Sequence, residues 1–127
     1  MNVRFTSVVP ILRIFDVGKA REFYVDYLGC TIDWEHRFAE GAPLYMQVSR
    51  GGLVLHLSEH HGDGTPGSTL YIETAGVRNL HAELGGRNYG YLNPGVEVDE
   101  IGRCMTLLDP FGNTLRFNEP PADRRGG

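Results

Sequence analysis

Cysteine is scarce in this sequence, and the two present, Cys30 and Cys104, lie far apart. That usage fits neither a disulfide framework nor a zinc motif built on paired cysteines. Long apolar runs are missing too. No stretch approaches the ~20 residues that a membrane helix needs, and no apolar segment follows a basic start. A soluble cytoplasmic protein without a membrane partner is expected. Concentrated positive charge is absent as well: the basic residues are almost all arginine and scattered, apart from Arg124-Arg125, and the formal net charge is −4. This argues against a nucleic-acid partner. Nor is there a Gly-x-Ser-x-Gly elbow, a phosphate loop or a dinucleotide fingerprint. Gly62-Asp63-Gly64 is too short and lacks a strand-to-helix setting. No nucleotide cofactor and no catalytic nucleophile are expected.

What the sequence does have is punctuation. With 127 residues, 41% hydrophobic, and 17 glycines, it reads as one domain over residues 1–127 built from many short elements. The chain is organised around Leu107-Leu108-Asp109-Pro110-Phe111-Gly112-Asn113-Thr114-Leu115-Arg116-Phe117-Asn118. This is strand, tight turn, strand: Asp109 caps the turn, Pro110 presets its φ, and Gly112-Asn113 tolerate positive φ. Earlier, residues 8–15 read as a strand with Pro10 near its start, which suits an edge or an exchanged arm. Asp16 is a helix N-cap; Val17, Ala20, Phe23, Tyr24, Tyr27 and Leu28 recur at helical spacing, and Gly29 ends the helix. Strands follow at 30–38, 44–49 and 53–58, the last two joined across Arg50-Gly51-Gly52.

Residues 60–68 are Gly-rich and polar and read as a linker. After them the order restarts. A strand at 70–73 precedes a helix marked by Val77, Leu80 and Leu84 and closed by Gly85-Gly86, and strands follow at about 94–99, 103–108 and 114–118. The chain is thus internally duplicated, with module one at 7–61 and module two at 69–119. The strand alternations agree. Leu12, Ile14, Leu53, Leu55, Leu57, Leu70, Ile72, Leu115 and Phe117 face a helix layer. Arg13, Val54, His56, Ser58, Thr69, Tyr71, Glu73, Thr114, Arg116 and Asn118 lie opposite, a polar set that a closed core would not tolerate unpaired. That face is expected to line an open cup.

Two motifs carry a resemblance. Pro10-Ile11-Leu12 with Asp16, Ala20, Glu22-Phe23-Tyr24 and Leu28-Gly29, together with Asp109-Pro110-Phe111-Gly112-Asn113, resembles the glyoxalase/bleomycin-resistance, or vicinal oxygen chelate, superfamily over residues 7–119. The resemblance implies an α+β fold: two βαβββ modules forming a cup-shaped mixed β-sheet with helices on the outer face. It also implies a homodimer, whose antibiotic-binding members exchange the N-terminal strand. Enzymes of the superfamily place metal ligands on the first and last strands of each module. By motif spacing these positions fall on Val9, His56, Thr69 and Arg116. Val9 has no donor, Thr69 is a poor ligand, and Arg116 is a permanent cation. No metal is expected there. His56, His60 and His61 with Glu59 and Asp63 form another cluster, but His56 and His60 would lie ~13 Å apart along an extended strand.

What remains is binding. The expected ligand-contacting set is Trp34, Phe38, Tyr45, His56, Ser58, Glu59, Tyr71, Glu73, Ile101, Gly102, Arg103 and Arg116, suited to a planar or cationic molecule by stacking and charge. Trp34 reads equally as a core aromatic or a stacking surface. Where bleomycin-binding members carry a stacking aromatic before a Gly-Arg pair, this chain has Ile101 before Gly102-Arg103. The reading is a metal-free dimer that sequesters a bleomycin-type antibiotic. The alternatives are a metal-dependent lyase, isomerase or dioxygenase of the same superfamily, and a binder of another molecule, including an anionic one held by Arg116.

Overall fold

The architecture is α+β and the duplication is real. A computed structural model describes residues 2–87, 89 and 94–122. The order is β1 (Ile11–Arg13), α1 (Val17–Arg21) widening into a π-helical turn (Glu22–Tyr27), β2 (Thr31–His36), β3 (Tyr45–Arg50), β4 (Leu53–Ser58), then β5 (Thr69–Glu73), α2 (Val77–Gly85), β6 (Val96–Asp99), β7 (Gly102–Leu108) and β8 (Thr114–Glu119). Each βαβββ module folds into a four-stranded mixed sheet, ordered β1-β4-β3-β2 and β5-β8-β7-β6. The first strand of each pairs in parallel with the last, and the remaining pairs are antiparallel. The Arg124-Arg125 pair lies outside the described residues.

Alternation sets which face is buried. Leu12, Ile14, Met46, Val48, Leu55 and Leu57 of the first sheet join Met105, Leu107, Leu115 and Phe117 of the second, and Phe23, Tyr24, Val77 and Leu84 of the helices, in one apolar core. The opposite face of each sheet is open apart from Ser58, Gly102 and Asn118, which are buried. Asp16 caps α1 as its sequence position implies, accepting from the Lys19 amide at 2.9 Å. α2 starts at Gly76 without a side-chain cap of its own, and Glu119 at the end of β8 accepts from the Val77 amide instead.

Two elements differ from the sequence reading, and the linker is more firmly held than its composition implies. The first strand is short, and residues 2–10 form no regular element: the Pro10 carbonyl still accepts from the His56 amide, but Pro10 has no amide hydrogen to extend the ladder. The first helix does not run uniformly to Leu28. Its π-helical turn, with Leu28 N donating to the Phe23 carbonyl, places Phe23, Tyr24 and Tyr27 all in the core. Residues 60–68 link the modules without a strand or helix of their own, as read, and side chains hold them in place. Ser58 Oγ donates to Asp63 and accepts from the His60 amide, and Ser68 exchanges bonds with Asn113 and Thr114.

Among the described residues, polar contacts join the two modules on two sides. The buried Asp109 and Asn113 of the β7–β8 turn reach Tyr24 and the Arg13 carbonyl in module one. Gly112 takes the left-handed φ (+86°) of that turn, whereas Asn113 does not; its side chain is used for tertiary bonds instead. On the other side, Arg50 and Arg87 both hold Glu83 of α2 and both donate to carbonyls at the end of the first helix, Leu28 and Tyr27. Cations are favourable there because the helix C-terminus carries partial negative charge.

Replacing Tyr24 with Phe removes one donor from a buried carboxylate and is expected to cost ~1.5–3 kcal/mol. Urea denaturation checks this: the midpoint falls with unchanged slope. The Arg50 bond holds the Glu83 carboxyl below its ordinary value of 4.5. Its stabilisation is therefore present above that unfolded value and lost as pH falls through the lower folded one. Because these side chains are a third or more exposed, solvent screening limits the contribution to about 1 kcal/mol or less. Thermal melts from neutral pH to about 3 should show Glu83→Gln less stable at neutrality and less sensitive to acid.

Candidate functional site

The open face of the first sheet carries an aromatic cluster that one irregularity creates. Ile32 pairs with Val48, and Trp34 with Gln47, so Asp33 is an extra residue in β2. Strict alternation from Ile32, which packs on the core, would send Trp34 inward. The bulge turns it out, leaving it 42% exposed. Register then aligns Trp34, Gln47, His56 and Ile11 across all four strands.

Side-chain bonds fix this row. Tyr45 Oη lies 2.6 Å from His56 Nδ1, His56 Nε2 3.0 Å from Gln47 Oε1, and Gln47 Nε2 3.0 Å from Asp33 Oδ2. The Trp34 and Tyr45 rings lie parallel within 8° at 5.9 Å, and His56 meets Trp34 edge-on at 5.2 Å. This is an offset-stacked wall in which the His56 and Gln47 polar groups are bonded to one another, and the exposed Trp34 ring offers a surface for a planar ligand. Phe38 stands at the rim, edge-on to His36 and His60. The sequence reading missed Gln47 and His36. Gln47 was legible by counting pairs back from the Arg50–Leu53 turn pair, which sets Gln47 against His56.

The other expected site residues divide. Tyr71 and Arg116 are exposed neighbours on the open face of the second sheet, and Glu73 lies further along the same strand. Asn118 Nδ2 holds the Tyr71 oxygen at 2.7 Å and the Ile101 carbonyl at 3.2 Å. Among the described residues Glu73 makes no ion pair with Arg116. Ser58 and Glu59 are committed to structure: Ser58 orders the following turn, and Glu59 accepts from the Leu44 amide. Arg103 shares the helix-side face with Met105 and pairs with Glu119, so the structure does not bring it to Arg116. Gly102 serves the backbone. At φ +125° a Cβ there would sit 2.0 Å from the Glu119 carbonyl oxygen. A groove of about 890 Å³ runs between the two sheets, with Gln47 and Val54 on one wall and Tyr71 and Glu73 on the other.

A family model for glyoxalase superfamily proteins matches residues 1–123. The chain belongs to the glyoxalase superfamily. Among solved structures it is similar to the bleomycin-binding protein of bleomycin-producing Streptomyces verticillus, crystallised with copper(II)-bleomycin: 29% identity, 94% of this chain and 100% of that one, TM-score 0.70. A bleomycin resistance determinant encoded on the transposon Tn5 is similar at 21% identity, 91% and 98% coverage, and TM-score 0.69. An antibiotic-binding protein, TnmS3, from Streptomyces sp. CB03234 is similar at 23% identity, 94% and 100% coverage, and TM-score 0.66. No curated protein matches.

Superfamily enzymes use a divalent metal, and the donor set here does not fit one. Both His56 nitrogens are engaged by Tyr45 and Gln47, Arg116 is a cation, and Val9 has no donor. Among the described residues no group of three or more His, Cys, Asp and Glu side chains comes together as a metal site. In the His60 region Glu59 and Asp63 are bonded to the Leu44 amide and Ser58, and the His60 ring packs on Phe38 and Tyr45. Protein purified without chelator should therefore carry no stoichiometric divalent ion, and chelator treatment should leave its melting temperature unchanged. Elemental analysis and paired thermal melts check both, and one tightly held ion per chain would contradict the donor chemistry.

Proposed function

We propose that this glyoxalase-superfamily protein is a metal-free binding protein that sequesters a bleomycin-type antibiotic or a similar planar molecule, conferring resistance in the cytoplasm without modifying its ligand. The observation that carries the reading is the Trp34–Tyr45–His56 cluster, in which Tyr45 and His56 are hydrogen-bonded and half-buried and the stacked Trp34 ring is left 42% exposed to meet a ligand. The likeness to the Streptomyces verticillus protein supports the choice of ligand.

The proposed unit is a homodimer with an exchanged N-terminal arm. Residues 2–8 are exposed and rich in apolar groups, with Phe5 93% and Val8 92% accessible. Exposed apolar side chains in one segment favour burial against a second copy. The groove flanked by Ser7–Pro10 and β5 lies next to that arm and gives a partner's arm a place to dock; Gln47 is the residue it shares with the aromatic row.

A second reading rests on Arg116, exposed and without an ion pair among the described residues. It suits an anionic ligand, by bidentate bonding to a carboxylate. Replacing Arg116 with Ala is expected to leave or improve a cationic ligand's affinity. Weakening of bleomycin by that change would reverse the assigned ligand charge.

Calorimetric titration with metal-free and copper-loaded bleomycin tests the main reading. One ligand per subunit at micromolar affinity or better, about −8 kcal/mol, is expected, and Trp34→Ala should weaken it tenfold or more, about 1.4 kcal/mol. Absence of heat with both forms would exclude bleomycin as the ligand.

A further inference from the structure

The hydrogen bonds across the first sheet run in one direction. A carboxylate has only lone pairs, so the 3.0 Å contact makes Gln47 Nε2 the donor and Asp33 Oδ2 the acceptor. The Asp33 carboxyl is held below its usual range by bonds from Gln47 and Ser49, in keeping with a charged anchor. With its nitrogen turned to Asp33, Gln47 presents its carbonyl oxygen to His56 Nε2, which must then carry the ring hydrogen. In the tautomer with its hydrogen on Nε2, the other nitrogen, Nδ1, is left with a lone pair. Tyr45 Oη, 2.6 Å away, donates to it. The single hydrogen of the Tyr45 hydroxyl is consumed inside the sheet, and its oxygen has only acceptor capacity left.

Tyr71 on the second sheet is the opposite case. Asn118 Nδ2 is fixed as a donor by the Ile101 carbonyl and donates also to the Tyr71 oxygen, so Tyr71 keeps its own hydrogen to give. Arg116, its register neighbour, is a donor as well. The acceptor character of Tyr45 is thus a product of the row beneath it rather than of exposed tyrosine in general.

We infer that Tyr45 is a specificity-determining residue: beside the Trp34 ring it selects planar aromatic ligands that present an N–H donor at their edge, and disfavours those that present a carboxylate. Stacking on Trp34 supplies affinity for both kinds. The edge decides between them, because a carboxylate facing the Tyr45 oxygen sets lone pairs against lone pairs, whereas an amine completes the chain that ends on Asp33. The inference deepens the proposed binding role of the same face and rests on it.

Quenching of Trp34, the only tryptophan, by 4-aminoquinoline and by quinoline-4-carboxylate tests it. The wild type is expected to bind the amine about tenfold or more tightly than the acid, and Tyr45→Phe, which keeps the ring and removes the oxygen, to abolish most of that preference. Equal binding of the two probes, an undiminished preference in Tyr45→Phe, or no quenching by either would overturn the inference. Nitrogen NMR of His56 gives a readout without ligand: the Nε2–H tautomer is expected, and the Nδ1–H tautomer would overturn it. Bleomycin calorimetry on the same preparation separates the two claims. Selective probes with no bleomycin heat would end only the bleomycin reading, whereas bleomycin heat with unselective probes would end only the role of Tyr45.

Discussion

The structure depends on one buried carboxylate. Asp109 is almost wholly removed from water, yet it accepts from the Tyr24 hydroxyl at 2.5 Å, from the amides of Phe111 and Asn113, and from Asn113 Nδ2. A buried charge with fewer partners would be strongly destabilising; with four donors it becomes a fixed point. Asn113 extends it, donating to the Arg13 carbonyl at the end of β1 and accepting from the Ser68 amide ahead of β5. The start of each sheet, the first helix and the last hairpin therefore meet at one turn. With proton loss made harder by burial and by the neighbouring Asp109, the Tyr24 hydroxyl stays a donor throughout the ordinary pH range.

This explains why the fold was so legible. The residues most recognisable in the sequence, Asp109 to Asn113 and the helix around Tyr24, are those that hold the scaffold together through contacts with one another. The duplicated order and the inward alternation of Leu12, Leu55, Leu57, Leu115 and Phe117 followed from period-two patterning alone. Features that local patterning does not encode were missed. The first helix widens into a π-helical turn because tertiary burial of Phe23, Tyr24 and Tyr27 outweighs regular spacing, and the linker at 60–68 is held by Ser58, which bonds Asp63 within it, and by Asn113.

The site was less legible, for the same physical reason. Which face Trp34 occupies depends on a single extra residue, Asp33, and a bulge leaves no mark in alternation. Ser58, Glu59 and Arg103 looked available because sequence shows residue types and not their partners; each is committed to an amide or a carboxylate within the fold. What the fold leaves open is aromatic on the first sheet and donor-rich on the second. A shared scaffold sets where these faces lie, and the side chains on them set what binds.

The central claim is that the ligand lies on the open sheet faces and not elsewhere on this scaffold. Amide chemical-shift mapping by NMR during titration with metal-free bleomycin tests it most directly. The account predicts shifts centred on β2, β3 and β4 around Trp34, Tyr45 and His56, with the turn from Asp109 to Asn113 unmoved. Saturable shifts confined to the helices or to that turn, with the amides around Trp34 silent, would contradict it.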